Sequence, residues 1–238
     1  MINARHVTAE RSVVVARLSQ LAPLDEEARQ LLEVAVASAY LLRPRQELLS
    51  EGRPVETPLL LLDGWAARVR LLVDGRRQIV GLMVPGDVIG ISELPDPIST
   101  STIIALTPLT VCPAPPRGAS RALDLAYALS RACDEAYLLA QVTRLGRMNA
   151  QERIMDLLLE LYDRLELAGL VRSRGFDVPL TQETLSDALG LTPVHVNRML
   201  QAARKAGDLV WTGKRITLSD PERSARELGR SPLRLRAV

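Results

Sequence analysis

Between residues 181 and 200 the chain reads Thr-Gln-Glu-Thr-Leu-Ser-Asp-Ala-Leu-Gly-Leu-Thr-Pro-Val-His-Val-Asn-Arg-Met-Leu, and few backbone paths suit that order. Thr181 is placed to cap a short helix whose Leu185, Ala188 and Leu189 face inward. Gly190 supplies a tight turn. Thr192 then caps a second helix, with Pro193 at its first position, where a missing N–H costs nothing. Val196, Met199, Leu200 and Ala203 form the apolar stripe of that helix. Two short helices joined by a glycine turn make a helix-turn-helix.

Burying Val196 and Leu200 leaves Val194, Asn197, Arg198 and Gln201 on the open side, in the N-terminal turns that groove-reading helices present to base edges. Arg198 suits a bidentate contact to guanine O6 and N7. Asn197 suits adenine or a phosphate, and Val194 suits a thymine methyl. His195 reads as a phosphate or base contact, and Thr181, Gln182 and Thr192 sit at helix N-termini, where phosphates bind. Leu209 to Leu218 then reads as a hairpin with a Gly213-Lys214-Arg215 tip, a wing that would lay Lys214 and Arg215 along a DNA backbone. The charge distribution agrees. Residues 1–116, 117–170 and 171–238 carry −2, −1 and +5, so the basic excess sits in the last third, as expected for a polyanion partner.

Upstream, residues 41–115 read as short strands punctuated by turns. Leu59 to Leu62 is a short apolar run, and Val69–Val73 and Gln78–Val84 flank Asp74-Gly75, a pair favoured in type I′ hairpins. Pro85, Pro95, Pro97, Pro108, Pro113, Pro115 and Pro116 break any helical reading, so a barrel or jelly roll is expected. Asp25 to Ser38 reads as a short helix capped by Asp25, and residues before 20 and after 230 are left unassigned. Residues 119–147 contain no proline and read as one long helix. Along it Ala122, Leu125, Leu129, Ala132, Ala136, Leu139 and Thr143 alternate in steps of three and four, the seam of a two-helix coiled coil and hence of a homodimer. A helix packed on its own domain is the alternative. A second helix starts at Asn149 with a capping box to Glu152.

With Val84-Pro85-Gly86-Asp87, the long helix, Leu145-Gly146-Arg147 followed by Ala150-Gln151-Glu152-Arg153, and the winged motif, the chain resembles the family of cyclic-AMP receptor protein and the fumarate–nitrate reduction regulator. The resemblance spans roughly residues 20–230. It implies an α+β fold in three parts: a β-roll (a cupin-like jelly roll) sensor domain over 20–116, a dimerisation helix over 117–147 and a winged helix-turn-helix over 149–230. It also implies a homodimer on a near-palindromic double-stranded DNA site, with RNA polymerase as a further partner if the protein activates. Arg198 matches the family's recurrent arginine on the reading helix. The acidic residue that often follows Pro193 in position is replaced by Val194, so a different half-site is expected.

The resemblance also bears on cofactors. Cyclic-nucleotide binders carry Gly-Glu and then an arginine in the phosphate cassette, whereas the matching Gly90 to Thr102 stretch has no arginine. A buried phosphodiester without a cation is poorly compensated, so cyclic AMP is not expected. Oxygen-sensing members carry an N-terminal cysteine cluster, which Cys112 and Cys133 cannot supply. Haem stays open through Cys112 or His6, although a lone cysteine after a strand is more often a small apolar filler. Cys133 could be a redox handle or a buried thiol. The expected cofactor set is therefore empty. The competing reading is a sensor of the same fold whose DNA binding depends on an unidentified effector, for instance a small anion at Arg68, Arg70, Arg76 and Arg77, or on haem or redox state. A third is that cellular level alone sets activity. No nucleophile–base pair, phosphate loop or metal-spaced cluster suggests an enzyme. No apolar run reaches the roughly 20 residues of a membrane span, and no signal peptide is read, so a cytoplasmic address with no membrane partner is expected.

Overall fold

The computed structural model describes residues 4–231 and 233, with side chains from Val13 onward. Two helices open the chain, α1 (Ala4–Leu21) and α2 (Glu26–Ala37), followed by eight strands: β1 (Tyr40–Leu42), β2 (Glu47–Leu49), β3 (Leu59–Asp63), β4 (Ala66–Leu71), β5 (Arg77–Met83), β6 (Val88–Ile89), β7 (Thr102–Ala105) and β8 (Leu109–Pro113). They form two antiparallel four-stranded sheets, ordered β1-β8-β3-β6 and β2-β7-β4-β5, the two faces of a β-roll. Leu59, Leu61, Ala66, Ile103 and Val111 fill the space between the sheets.

Two features upstream differ from the sequence reading. Most of the N-terminal stretch left unassigned is helical. Val14, Leu18 and Leu21 recur at helical spacing and pack with Leu60, Val88 and Tyr127, so α1 closes the outer face of one sheet. The β4–β5 hairpin also lacks the type I′ turn. Only Gly75 has a positive φ (+85°), and the Gly75 N–H donates to the Leu72 carbonyl while Leu72 pairs with Arg76. The loop is therefore Val73-Asp74-Gly75, a turn closed by a left-handed glycine, and Asp74 instead accepts from the Arg76 backbone N–H at 3.1 Å.

Helix α3 (Arg121–Arg147) follows, capped by Ser120, and crosses the β-roll before α4 (Ala150–Leu167). The Asn149 capping box with Glu152 forms as read. On α3, Leu123, Ala126, Tyr127, Ser130, Cys133, Gln141 and Arg144 are buried within the chain. Ala122 and Leu129 also pack against the α1–α2 cluster, whereas Leu125, Leu139 and Val142 are exposed apolar side chains. Ala128 and Thr143 are open and Ala132 and Ala136 half-buried, so the open stripe is rotated slightly from the expected seam, toward Ala128 and Val142. The last domain comprises β9 (Gly175–Asp177), α5 (Gln182–Leu189), α6 (Pro193–Ala206), β10 (Leu209–Thr212), β11 (Arg215–Leu218) and α7 (Pro221–Glu227), with sheet order β10-β11-β9. Its core of Ile154, Leu158, Leu161, Phe176, Leu189 and Val196 is continuous with Trp65, Val69 and Ile79 of the β-roll.

Candidate nucleic-acid interface

Each cap read from the sequence closes in the structure. The Thr181 hydroxyl accepts from the Thr184 N–H, and the Thr192 hydroxyl accepts from His195 N–H at 3.2 Å with Pro193 in the first turn. Gly190 ends α5 in the left-handed region (φ +62°), where a Cβ would be strained. Val196, Leu200 and Ala203 then seat α6 on α4 and α5. That burial turns the opposite side of α6 to solvent. Val194 is 80% exposed, Thr192, Pro193, Arg198 and Gln201 are exposed, and His195 and Asn197 are half-buried at the edge. Among the described residues, the Asn197, Arg198 and Gln201 side chains make no hydrogen bond or ion pair within the chain. Thr181 and Gln182 are exposed at the start of α5. Arg204 and Lys205, exposed in the last turn of α6, extend the same basic surface and were not singled out from the sequence.

The wing has a Gly213-Lys214 tip, and its two basic residues differ. Lys214 is exposed and unpaired among the described residues. Arg215 sits one residue into β11, and its guanidinium turns onto β9. Nη2 donates to the carbonyls of Arg172 (2.9 Å) and Gly175 (3.1 Å), and Nη1 reaches Asp177 at 3.4 Å. It braces the wing sheet in this arrangement rather than standing clear of it.

The reading unit is tied to the β-roll by contacts that local sequence patterns do not reveal. The last carbonyls of a helix lack intrahelical partners, and three elements supply them for α5. Gln78 of β5 donates to the Asp187 carbonyl at 2.7 Å, Gln141 of α3 to the Ala188 carbonyl at 2.6 Å, and Arg153 of α4 to the Leu189 carbonyl at 3.1 Å. Arg77 adds a two-pronged pair to the Asp187 carboxylate, at 2.8 and 2.6 Å. Beneath this, charged side chains alternate in sign through the protein interior. Arg164 bonds Asp87 (2.6 Å) and Glu160 (3.2 Å), Arg144 bonds Glu160 (2.7 Å) and Asp156 (2.9 Å), and Arg230 bonds Asp156 and Asp163 (both 3.1 Å). The Arg164 guanidinium also lies 4.4 Å over the Tyr137 ring. Because α4 is buried nearly all round, the Asp156, Glu160 and Arg164 it carries must find partners inside. That embedding of charges in an apolar helix was the available sequence signal for this network.

The β-roll encloses, together with α3, an open chamber of about 800 Å³. Its polar lining includes Arg68, Ser92, Glu93, Ser99, Arg131 and Asp134. The 90–102 stretch thus contributes hydroxyls and the Glu93 carboxylate, with no cation. Cys112 lies at zero exposure in the core near α1 and α2, away from the chamber lining. The His6 side chain lies outside the described ones. Burial pushes the Cys133 thiol up, against the pull of Arg17, so it is held as a thiol rather than a reactive thiolate. Among the described residues, no three His, Cys, Asp or Glu side chains gather to hold a metal ion, and no helix is long and apolar enough to cross a membrane.

Comparison with known proteins gives this architecture a family. Residues 152–223 match the Crp-like helix-turn-helix domain, and residues 41–124 match the cyclic nucleotide-binding domain. The chain is 30% identical over 220 residues to the transcriptional activator protein FnrL of Cereibacter sphaeroides, covering 86% of this chain and 85% of that one. It is 29% identical over 222 residues to the transcriptional activatory protein AadR of Rhodopseudomonas palustris, covering 88% and 87%. Among solved structures, FixK2 from Bradyrhizobium japonicum superposes with a TM-score of 0.68 at 27% identity, over 79% of this chain and 95% of that one. With a β-roll, a long connecting helix and an open, unpaired reading helix in that order, the chain belongs to the Crp/Fnr family of DNA-binding transcription regulators.

Proposed function

We propose that the protein reads a near-palindromic operator as a homodimer, each α6 entering one major groove and the half-sites lying about one helical turn apart. The observation that carries this is the polar edge of α6: Asn197, Arg198 and Gln201 are presented by a well-capped helix and have no partner of their own among the described residues. Thr181, Gln182, Thr192 and Lys214 flank that edge as phosphate contacts, while Pro193 and Val194 face the thymine methyls. The open stripe of Leu125, Ala128, Leu139 and Val142 on α3 supports a second copy as the dimer partner. The protein works in the cytoplasm and is no enzyme. Where its operator lies upstream of a promoter, RNA polymerase is the further partner.

Cyclic AMP is not expected in the chamber, because the 90–102 stretch that lines it brings hydroxyls and the Glu93 carboxylate but no arginine of its own for a phosphodiester. Haem and redox readings are not favoured: Cys112 is wholly buried in the cluster beneath α1 and α2, and burial holds the Cys133 thiol protonated despite the nearby Arg17. Selection of random duplex DNA tests the proposal. A two-fold symmetric site whose symmetry-related positions lose preference on Arg198→Ala supports it. Binding without sequence preference refutes it.

A further inference from the structure

The open positions of α3 repeat more strictly than the sequence pattern suggested. Leu125, Ala128, Ala132, Glu135, Leu139 and Val142 follow one another in alternating steps of three and four, and each is exposed or half-buried. Leu123, Ala126, Tyr127, Ser130 and Cys133 turn the opposite side of the helix inward. All but one of the open stripe are apolar. The exception, Glu135, stands in its middle. Arg131, one turn earlier, is exposed as well, and the two side chains make no hydrogen bond or ion pair among the described residues, either with each other or with a third group. Asp134, next to Glu135 in the chain, instead faces Arg68 of β4 at 3.6 Å.

A dimer on a two-fold symmetric operator sets both reading helices at one end. Its two α3 helices then run parallel, and each residue of the stripe meets its own copy. Two Glu135 carboxylates come face to face, which is unfavourable where water is excluded unless a cation joins them. Ala128 and Ala132 put little bulk beside them, so the helices can approach closely. A long side chain at the margin can lay its stem over those alanines and carry its charged head across. Arg131 holds that place.

We infer that Arg131 of each copy crosses the seam to Glu135 of the other, closing a ring of four alternating charges that selects a parallel pair in one register. The inference rests on the homodimer reading above and names the contact that makes it specific. A charged layer inside an apolar seam fixes register because any shift leaves it unmatched. Sliding one helix by a heptad sets Glu135 against the layer of Val142 or of Ala128. One turn before those residues stand Leu138 and Asp124, and neither supplies a cation.

Sedimentation equilibrium on the full-length protein tests the ring. Both positions stand open in the single chain, so glutamine at either leaves its fold in place. Arg131→Gln leaves two facing carboxylates and should weaken the dimer by about tenfold or more. Adding Glu135→Gln should recover most of that loss, a non-additivity that independent sites would not show. Glu135→Gln alone should change little, because the freed arginines can swing out to water. Native mass spectrometry on a mixture of the two single variants should show the mixed dimer above its statistical share, since only it sets a glutamate against an arginine across the seam. An Arg131→Gln dimer as tight as the parent overturns the inference. So does a loss that Glu135→Gln fails to recover, or a mixed dimer at its statistical share. The two levels separate in the parent: a chain that stays monomeric sinks the homodimer reading itself, whereas a dimer indifferent to Arg131→Gln sinks the ring alone.

Discussion

Gln141, buried in the middle of the long helix α3, donates its Nε2 at 2.6 Å to the main-chain carbonyl of Ala188, one residue before the end of the first helix of the reading unit. The same amide oxygen accepts from Arg144. One side chain thus joins three things: the helix expected to carry dimer contacts, the C-terminal cap of α5 and the interior charge ladder.

Replacing Gln141 by Leu takes the 2.6 Å donor from the buried Ala188 carbonyl and leaves it only the long contact from Gln78 at 3.4 Å. A cost of about 1–3 kcal/mol in unfolding free energy is expected. Amide exchange should be faster in α5 than in the β-roll, and a uniform rise across the chain would argue against this coupling.

Breaking the ladder should cost more. Asp87→Ala leaves Arg164 buried with one fewer anion and leaves the Val84 N–H without its acceptor at 2.8 Å. Removing one partner of a buried pair costs about 3–5 kcal/mol, readable as a lower midpoint in urea. An unchanged midpoint would mean that solvent reaches the pair.

The two basic residues of the wing should separate cleanly. Lys214→Ala is expected to leave the thermal midpoint in place and to lower the salt slope of DNA binding by about one per contact. Arg215→Ala, which removes two bonds to β9 and one to the Arg172 carbonyl just before it, should lower the midpoint as well. Equal effects of the two substitutions would contradict the different roles assigned to them.

Much of this was legible in the chain, and the legible parts share a physical character. Asp25, Asn149 with Glu152, Thr181 and Thr192 act within three residues of themselves, so their caps could be read directly, as could the turn at Gly190. The contacts of Gln78, Gln141 and Arg77 with α5 span 47 to 110 positions and leave no local pattern. Helix α1 was missed because nothing marks its start, with no acidic residue in its first turn, and its order comes from Val14 and Leu18 packing on β3 and α3. Arg215 was placed in the wing correctly, but the direction of its guanidinium follows from the pairing of Arg215 with Asp177 across β11 and β9, which only the folded sheet fixes.

Asp134 gives a pH signature. Its folded pKa of about 6 lies above its unfolded value near 3.8, so the folded state binds the extra proton in that window. Its contribution therefore falls as pH rises from about 4 to about 6 and is lost above. Asp134→Asn should remove that slope and make the protein more stable than the parent at neutral pH. The parent proving more stable at neutral pH would show that the Arg68 attraction outweighs desolvation.

The most direct test of the central claim is selection of random duplex DNA by the purified full-length protein, repeated with Arg198→Ala and across salt concentrations. The account predicts a two-fold symmetric site with half-sites about one helical turn apart, and a loss of roughly 1–3 kcal/mol of discrimination at one position per half-site in the variant. An asymmetric site, or binding with a steep salt slope and no sequence preference that Arg198→Ala leaves unchanged, would contradict it.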